Sequence, residues 1–369
     1  MKLLALSSLI VPTLAQVLND EVVIGNEHII ELSPGNKQTA TFEELLALKR
    51  EKIQFFDITN FDEDSITTNV TFPEAIYPKK THQNKKFAKL APSLSAVELE
   101  LKLRTFTSFY TRYARSSHGV ESCTWLYNQI REMIGNRTDI SIEVFRHEWL
   151  QSSILVRIEG SENPDKVIVV GAHQDSINLV LPSIMPAPGA DDDGSGAMTT
   201  LEVFRVLMES DYKPKNTVEF HWYSAEELGL LGSQDVFSNY SSSNVDVRAM
   251  LQQDMTGYSA GSFKNEGHDE MGLITDFVNP ELTEYLKLLI STYCDIPYAE
   301  TECGYACSDH ASAGKYGYQS AFVIESQFSN VAHQIHTTED TADYLDFYHM
   351  LEHAKLTLGY VLELGSADI

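Results

Sequence analysis

Past about residue 90 the chain alternates between two apolar patterns. Leu99, Leu103, Phe106 and Phe109 recur at helical spacing within 95–116, and a second helical stretch is expected over 120–134. Runs rich in β-branched residues follow at 140–145, 154–158 and 167–170. Leu201, Phe204 and Met208 mark an amphipathic helix, 218–222 a strand and 228–237 another helix. The alternation continues with strands at 249–253 and 273–275, a helix over 280–293, a strand at 321–324 and a last helix near 344–364. Strands alternating with helices predict an α/β fold, a mostly parallel mixed β-sheet with helices on both faces. No internal repeat or low-complexity segment interrupts it.

The polar residues that break this pattern gather at or just past the apolar runs: His173-Gln174-Asp175, Asp191-Asp192-Asp193-Gly194, Glu226-Glu227, Asp254-Met255 and Ile335-His336-Thr337. Open α/β sheets bind ligands outside the carboxyl ends of their strands, so these side chains are expected to converge. Two imidazoles with several carboxylates are what a pair of divalent cations about 3.5–4 Å apart requires, one carboxylate being shared. Each motif also has a plainer explanation. His173 and Asp175 project to the same side of an extended segment, an arrangement common in structural pairs. Asp191 to Asp193 read as an acidic turn before a helix, although three adjacent carboxylates repel unless a cation neutralises them. Ser224 and Glu227 fit a helix capping box. The weight lies in the combination.

Six strings in order resemble the co-catalytic zinc aminopeptidases, the secreted leucine aminopeptidases of the bacterial and fungal type above all. They are Gly-Ala-His173-Gln-Asp175-Ser, Pro188-Gly-Ala-Asp-Asp192-Asp-Gly-Ser-Gly, Ser224-Ala-Glu226-Glu227-Leu-Gly, Asp254-Met-Thr, Cys303-Gly-Tyr305-Ala-Cys307-Ser-Asp-His and Ile335-His336-Thr-Thr-Glu-Asp. The resemblance runs from about residue 90 to the C-terminus. It implies the zinc-dependent exopeptidase fold and two Zn2+ per subunit. One ion would be held by His173 and Asp254, the other by Glu227 and His336, with Asp192 common to both. It supports Glu226 as the general base and Asp175 as the partner that orients His173, and leaves Asp191 and Asp193 to structural roles. A pocket for the first side chain would be formed by Met255, Ile274, Tyr305, Phe322, Ile324, Phe328 and Ile335, Tyr305 also serving the developing oxyanion. A Cys303–Cys307 disulfide is implied, in keeping with their spacing of four, while Cys123 with Cys294 stays open.

The N-terminus adds a history. Met1-Lys2 followed by an apolar run to Leu14 and Ala15 reads as a secretory signal peptide over residues 1–15, too short to span a bilayer. Residues 16–80 are expected to be a pro-region, as the resemblance implies, with dibasic pairs at Lys79-Lys80 and Lys85-Lys86 placing its end within 79–87; residues 81–369 are then the catalytic domain. Secretion makes the sequons at Asn69, Asn136 and Asn239 candidate glycosylation sites, and makes the product an extracellular glycoprotein zymogen. The formal charge is −26, with 20 Lys and Arg against 41 Asp and Glu beyond residue 80, which argues against a nucleic-acid partner. No membrane partner is expected either; Lys102, Arg104, Arg112 and Arg115, the main basic cluster, read as a solvated helix face.

The expected protein is thus a monomeric, secreted metallo-aminopeptidase that releases leucine and other large apolar residues from peptides with a free N-terminus. Two other chemistries compete. Gly257-Tyr-Ser259-Ala-Gly261 matches the nucleophile elbow of a serine hydrolase, but the polar stretch after it lacks the helix such an elbow leads into. A related zinc acyltransferase that cyclises N-terminal glutamine would be expected to use one zinc. A non-catalytic domain is disfavoured because every ligand position and Glu226 are retained.

Overall fold

The computed structural model describes residues 27–61 and 75–369; the signal peptide and Asn69 lie outside them. Eight strands make the central sheet: β4 Ile140–Phe145, β5 Ser153–Ile158, β6 Asn163–His173, β7 Asn216–Tyr223, β8 Asp246–Gln253, β9 Met271–Ile274, β10 Tyr298–Thr301 and β11 Ser320–Ile324. Their order is β10-β9-β11-β8-β6-β7-β5-β4. The centre is parallel, β6 pairing with β7 and β8, and β8 with β11. Antiparallel pairs (β4 with β5, β5 with β7, β11 with β9) make the sheet mixed, as expected.

Alternation along β6 sends its side chains to two cores. Ile168 and Val170 join Phe220, Trp222 and Leu251 on one face. There they meet α3 Ala96–Phe106, α4 Ser117–Ile134, α5 Gly196–Glu209, α8 Pro280–Tyr293 and α10 Phe347–Leu364. Val167 and Val169 point the other way, toward Val236 and Phe237 of α6 Leu231–Ser242 and Ala313 of α9 His310–Lys315. A strand flanked on both faces must be apolar at every position, which is why 167–170 is an unbroken run. No helix among the described residues is long and apolar enough to cross a membrane.

Three local expectations fail. The helix expected over 95–116 ends at Phe106, and the chain turns over the next four residues before Thr111 bridges to Ala187. Arg112 is therefore not on a solvated face but completely buried. The helix expected from 228 starts at Leu231: Ser224 Oγ accepts from Trp149 Nε1 at 3.0 Å instead of from a helix amide, and Ala225 and Leu230 take left-handed backbone. Finally, Ala260–Asn265 does form a short helix, α7, after Gly257-Tyr-Ser259.

The N-terminal segment is folded too. Strands β1 His28–Ser33, β2 Asn36–Ala40 and β3 Phe56–Asp57 form a small antiparallel sheet in the order β2-β1-β3, joined by helix α1 Phe42–Arg50. Thr41 and Glu44 close a capping box at the start of α1. Ile30, Phe42, Leu45 and Leu46 bury against Ile177, Leu179, Leu228 and Leu231 of the main domain. The approach is close at Gly229, whose φ is +95° and whose carbonyl accepts the Asp57 amide at 3.0 Å; a Cβ there would lie 2.7 Å from that amide nitrogen. No element was expected here, although Phe42, Leu45 and Leu46 recur at helical spacing along α1.

Candidate metal centre

The side chains converge where the parallel strands end. His173 is the last residue of β6, Asp254 follows β8, Glu226 and Glu227 stand three and four residues beyond β7, and His336 comes from the loop after β11. Asp192 enters from the segment before α5, next to a cis peptide with Asp193. Its two oxygens face opposite ways: Oδ1 lies 3.0 Å from His173 Nε2, Oδ2 2.8 Å from His336 Nε2. Around them, Asp254 Oδ1 is 3.6 Å from His173 Nε2 and Glu227 Oε2 is 3.1 Å from His336 Nε2. Two groups able to hold a cation result, His173-Asp192-Asp254 and Asp192-Glu227-His336, sharing Asp192.

These donors suit zinc. Ligands about 2.0–2.2 Å from a tetrahedral ion stand ~3.3 Å from one another, within the spread seen here. Glu227 Oε1 and Asp254 Oδ1 are buried with no hydrogen-bond partner, an expense that a cation removes. Burial opposes a charge on Asp192, but the imidazoles of His173 and His336 hold its carboxyl well below the usual range. Burial likewise lifts Glu226 well above that range, against the pull of Lys49 and His173 and with the help of Glu227 and Asp309. A buried carboxyl raised in this way and bound to neither imidazole is suited to carrying a proton.

The scaffold around the ligands is built from residues the motifs only partly disclose. Asp193 accepts the amides of His173, Gly196 and Met255 at 3.0, 2.9 and 3.1 Å, and Asp191 Oδ1 accepts that of Gly257 at 3.0 Å. Asp340 receives the amides of Asp191 and Asp192 at 2.9 and 3.2 Å. Asp175 Oδ1 is 3.4 Å from His173 Nδ1, long for a hydrogen bond, while the carboxylate accepts the amides of Glu226 and Glu227 at 3.1 and 3.3 Å. Asp175 thus holds the glutamates by hydrogen bonds and faces the imidazole at ion-pair distance only. Ser308 donates to Asp254 Oδ2 at 2.5 Å. Arg112 donates to the carbonyls of Gln174 (2.8 Å), Gly189 (2.7 Å) and Pro188, clamping two ligand loops. Ser308 and Asp340 sit inside matched strings without having been singled out; Arg112 carries no local signal.

Of the expected pocket, Met255, Ile274, Phe322 and Ile324 are buried in one cluster with Phe328 and Ile335 packed against it, together with Cys303 and Cys307. Those two cysteines are disulfide-bonded, whereas Cys123 and Cys294 are free. Tyr305 lies apart. Its ring packs on Phe56 and Phe277, and its hydroxyl donates to Glu31 of the N-terminal segment at 2.9 Å. The same segment reaches the candidate metal centre, Lys49 Nζ lying 2.7 Å from Glu227 Oε2 and 3.7 Å from Glu226 Oε2. Ser259 has a helix behind it, but its hydroxyl donates to Asp346 at 3.2 Å rather than to a histidine, and His336 belongs to the carboxylate cluster. Asn136 and Asn239 are exposed.

Comparison with known proteins agrees with this chemistry. Peptidase family M28 matches residues 153–361. Leucine aminopeptidase 1 of Blastomyces gilchristii is 52% identical over 348 residues, spanning 92% of this chain and 90% of that protein. The protein of the same name from Leptosphaeria maculans is 51% identical over 353 residues, spanning 94% and 90%. Among solved structures, the LapA aminopeptidase of Legionella pneumophila superposes with a TM-score of 0.79 at 28% identity, covering 94% of this chain and 96% of that one. A glutaminyl cyclase of Bacteroides thetaiotaomicron shares the fold alone, with a TM-score of 0.58 at 16% identity, covering 73% and 98%. Half the residues in common with leucine aminopeptidases over nine-tenths of the length, and a family match over more than half of it, decide the assignment: the chain belongs to peptidase family M28 and is a zinc-dependent aminopeptidase.

Proposed function

We propose that the mature enzyme uses two zinc ions to release leucine and other large apolar residues from the free N-termini of peptides. The observation that carries the count of two is Asp192, which turns one oxygen to each half of the cluster. His173 and Asp254 would complete one half, Glu227 and His336 the other. Bound zinc supplies an acidified water and polarises the scissile carbonyl. Glu226, raised by burial, takes the proton of the attacking water and returns it to the leaving amine as the C–N bond breaks. Asp175 holds the Glu226 and Glu227 amides during this transfer. Tyr305 donates to the developing oxyanion once Glu31 no longer holds its hydroxyl.

In this reading the chain is secreted, glycosylated at its exposed sequons, active as a monomer, and made as a precursor whose first 80 residues restrain it. Lys79-Lys80 is the better processing site of the two dibasic pairs, since both residues are exposed outside any helix. Lys85 and Lys86 lie within helix α2 Asn84–Leu90, Lys86 against the Tyr212 ring.

An activity panel on free and N-acetylated leucyl anilides and on glutaminyl peptides, with metal analysis of the same mature sample, tests the proposal. Two zinc ions per chain and cleavage of the free substrate alone are expected. Efficient cleavage of the acetylated substrate would overturn the exopeptidase reading, and one zinc with glutamine cyclisation would replace it.

A further inference from the structure

The geometry points to Lys49 as a built-in competitor for the second metal ion: its ammonium takes a coordinating oxygen of the Asp192-Glu227-His336 half-site, so metal binding there and release of the N-terminal segment are coupled. The inference rests on the proposal that residues 16–80 are a removable pro-region.

The contact is specific. Lys49 Nζ lies 2.7 Å from Glu227 Oε2, the same oxygen that faces His336 Nε2 at 3.1 Å. Its side chain is only 5% exposed, so the ammonium is compensated by protein carboxylates rather than by water. Its second ion pair is with Glu226, at 3.7 Å. No ion pair from the segment reaches His173 or Asp254 among the described residues, so the other half-site is left alone.

The delivery is also built. Lys49 lies four residues after Leu45 on α1, on the face that buries into the main domain. The next residue, Arg50, donates through Nε and Nη2 to the carbonyl of Leu179 at 3.0 and 2.6 Å. Leu179 in turn donates its amide to the carbonyl of His336 at 3.2 Å. The end of α1 is therefore tied to the loop that carries one ligand while its lysine is tied to another.

A metal ion bound to Glu227 Oε2 at about 2.0–2.2 Å would stand less than about 5 Å from Nζ. A dication and an ammonium that close in a buried site repel strongly, and although Glu227 Oε1 has no hydrogen-bond partner, the oxygen turned to His336 is the one Lys49 holds. The segment and the second ion thus exclude one another. The unprocessed chain should hold one zinc tightly, at His173-Asp192-Asp254, and take the second only as Lys49 withdraws. Glu31, which holds the Tyr305 hydroxyl, makes the restraint double: one contact on the metal half-site and one on the tyrosine.

Zinc content after equilibrium dialysis at a buffered free zinc concentration, read by elemental analysis, tests this without any activity assay. The samples are the full chain with its N-terminus verified intact by mass, the same chain with Lys49→Met, the same with Lys49→Arg, and the mature enzyme. One, two, one and two ions per chain are expected, with the second ion bound at least about tenfold more weakly in the intact wild type than in Lys49→Met. Thermal unfolding of each sample before dialysis identifies any variant that has not folded, and Lys49→Arg reports on charge in a side chain of similar reach. Two ions bound equally tightly by intact wild type and Lys49→Met would overturn the role of Lys49, as would a single ion in a folded Lys49→Met. A mature enzyme holding one ion would instead sink the dinuclear reading on which the inference rests.

Discussion

Arg112 Nη2 donates to the carbonyl of Gly189 at 2.7 Å, three residues before Asp192, while its Nε donates to the carbonyl of Gln174 next to His173 at 2.8 Å. One guanidinium thus fixes the spacing of two ligand loops. It does so from a fully buried position, over the Phe106 ring at 4.4 Å, and burial pushes it down to about 10 despite the surrounding aspartates. Replacing it by methionine would strand the carbonyls of Gln174 and Pro188 and leave that of Gly189 with the Gly194 amide alone. An unsatisfied buried acceptor costs about 1–3 kcal/mol, so Arg112→Met should lose on the order of 3–5 kcal/mol of stability and weaken zinc binding. Urea unfolding and zinc titration of the mature enzyme check both, and unchanged values would mean the clamp is dispensable.

Glu226→Gln should leave the zinc content unchanged and lower kcat by about 10²–10⁴-fold, the usual contribution of a general acid–base group. The amide is nearly the same size, and the Glu226 backbone remains held by Asp175. Loss of metal in this variant would make Glu226 a ligand instead.

How far these features could be read in the chain depended on whether the cause is local. The strand 140–145 and the helix 280–293 were legible to the residue, because period and flanking residues act over a few positions. That polar residues beyond β6, β7, β8 and β11 converge was legible from the strand ends, whereas the choice of Asp192 among three aspartates and of Glu227 over Glu226 came from the family resemblance alone. Arg112 was misread as surface, since its partners lie more than sixty residues away and burial of an arginine leaves no local trace. Lys49 was invisible for the same reason, being separated by 178 residues from the carboxylate it meets. Tyr305 is held differently from its expected role because Glu31, 274 residues away in the chain, binds its hydroxyl.

Acid should destabilise the fold through His310, a buried histidine that is not one of the candidate ligands. Burial holds His310 at about 3, against an ordinary 6.5; its ring stacks on Phe322 at 5.0 Å and its Nδ1 has no partner. As pH falls the unfolded chain takes up this proton first. The stability contributed by neutral His310 is therefore fully present above about 6.5 and is lost as pH falls from there toward 3. His353, buried beside His349, works in the same direction. At pH 4.5 the loss from one such group is at most about 2–3 kcal/mol. His310→Phe keeps a ring on Phe322 and removes the titration, so its unfolding midpoint should fall less steeply between pH 6.5 and 4.5. Parallel profiles would exclude His310 as a contributor.

The apolar cluster beside Asp254 should set the substrate preference. Met255 follows that aspartate directly, and Ile274, Phe322 and Ile324 stand on the neighbouring strands β9 and β11, so a peptide whose free amine approaches the carboxylates directs its first side chain toward them. The Cys303–Cys307 bridge packs on the same cluster and stiffens one wall. Burying a leucine side chain there is worth roughly 1.5–3 kcal/mol relative to water, or about 10–150-fold in kcat/KM over glycine. The mature enzyme should therefore cleave leucyl anilide about 10–150-fold more efficiently than glycyl anilide. Ile324→Asp, which places a charge in the apolar wall, should lower kcat/KM for leucine far more than for glycine. Equal losses on both substrates would mean that the cluster serves only as core, and comparable wild-type efficiencies for leucine and glycine would remove the pocket assignment altogether.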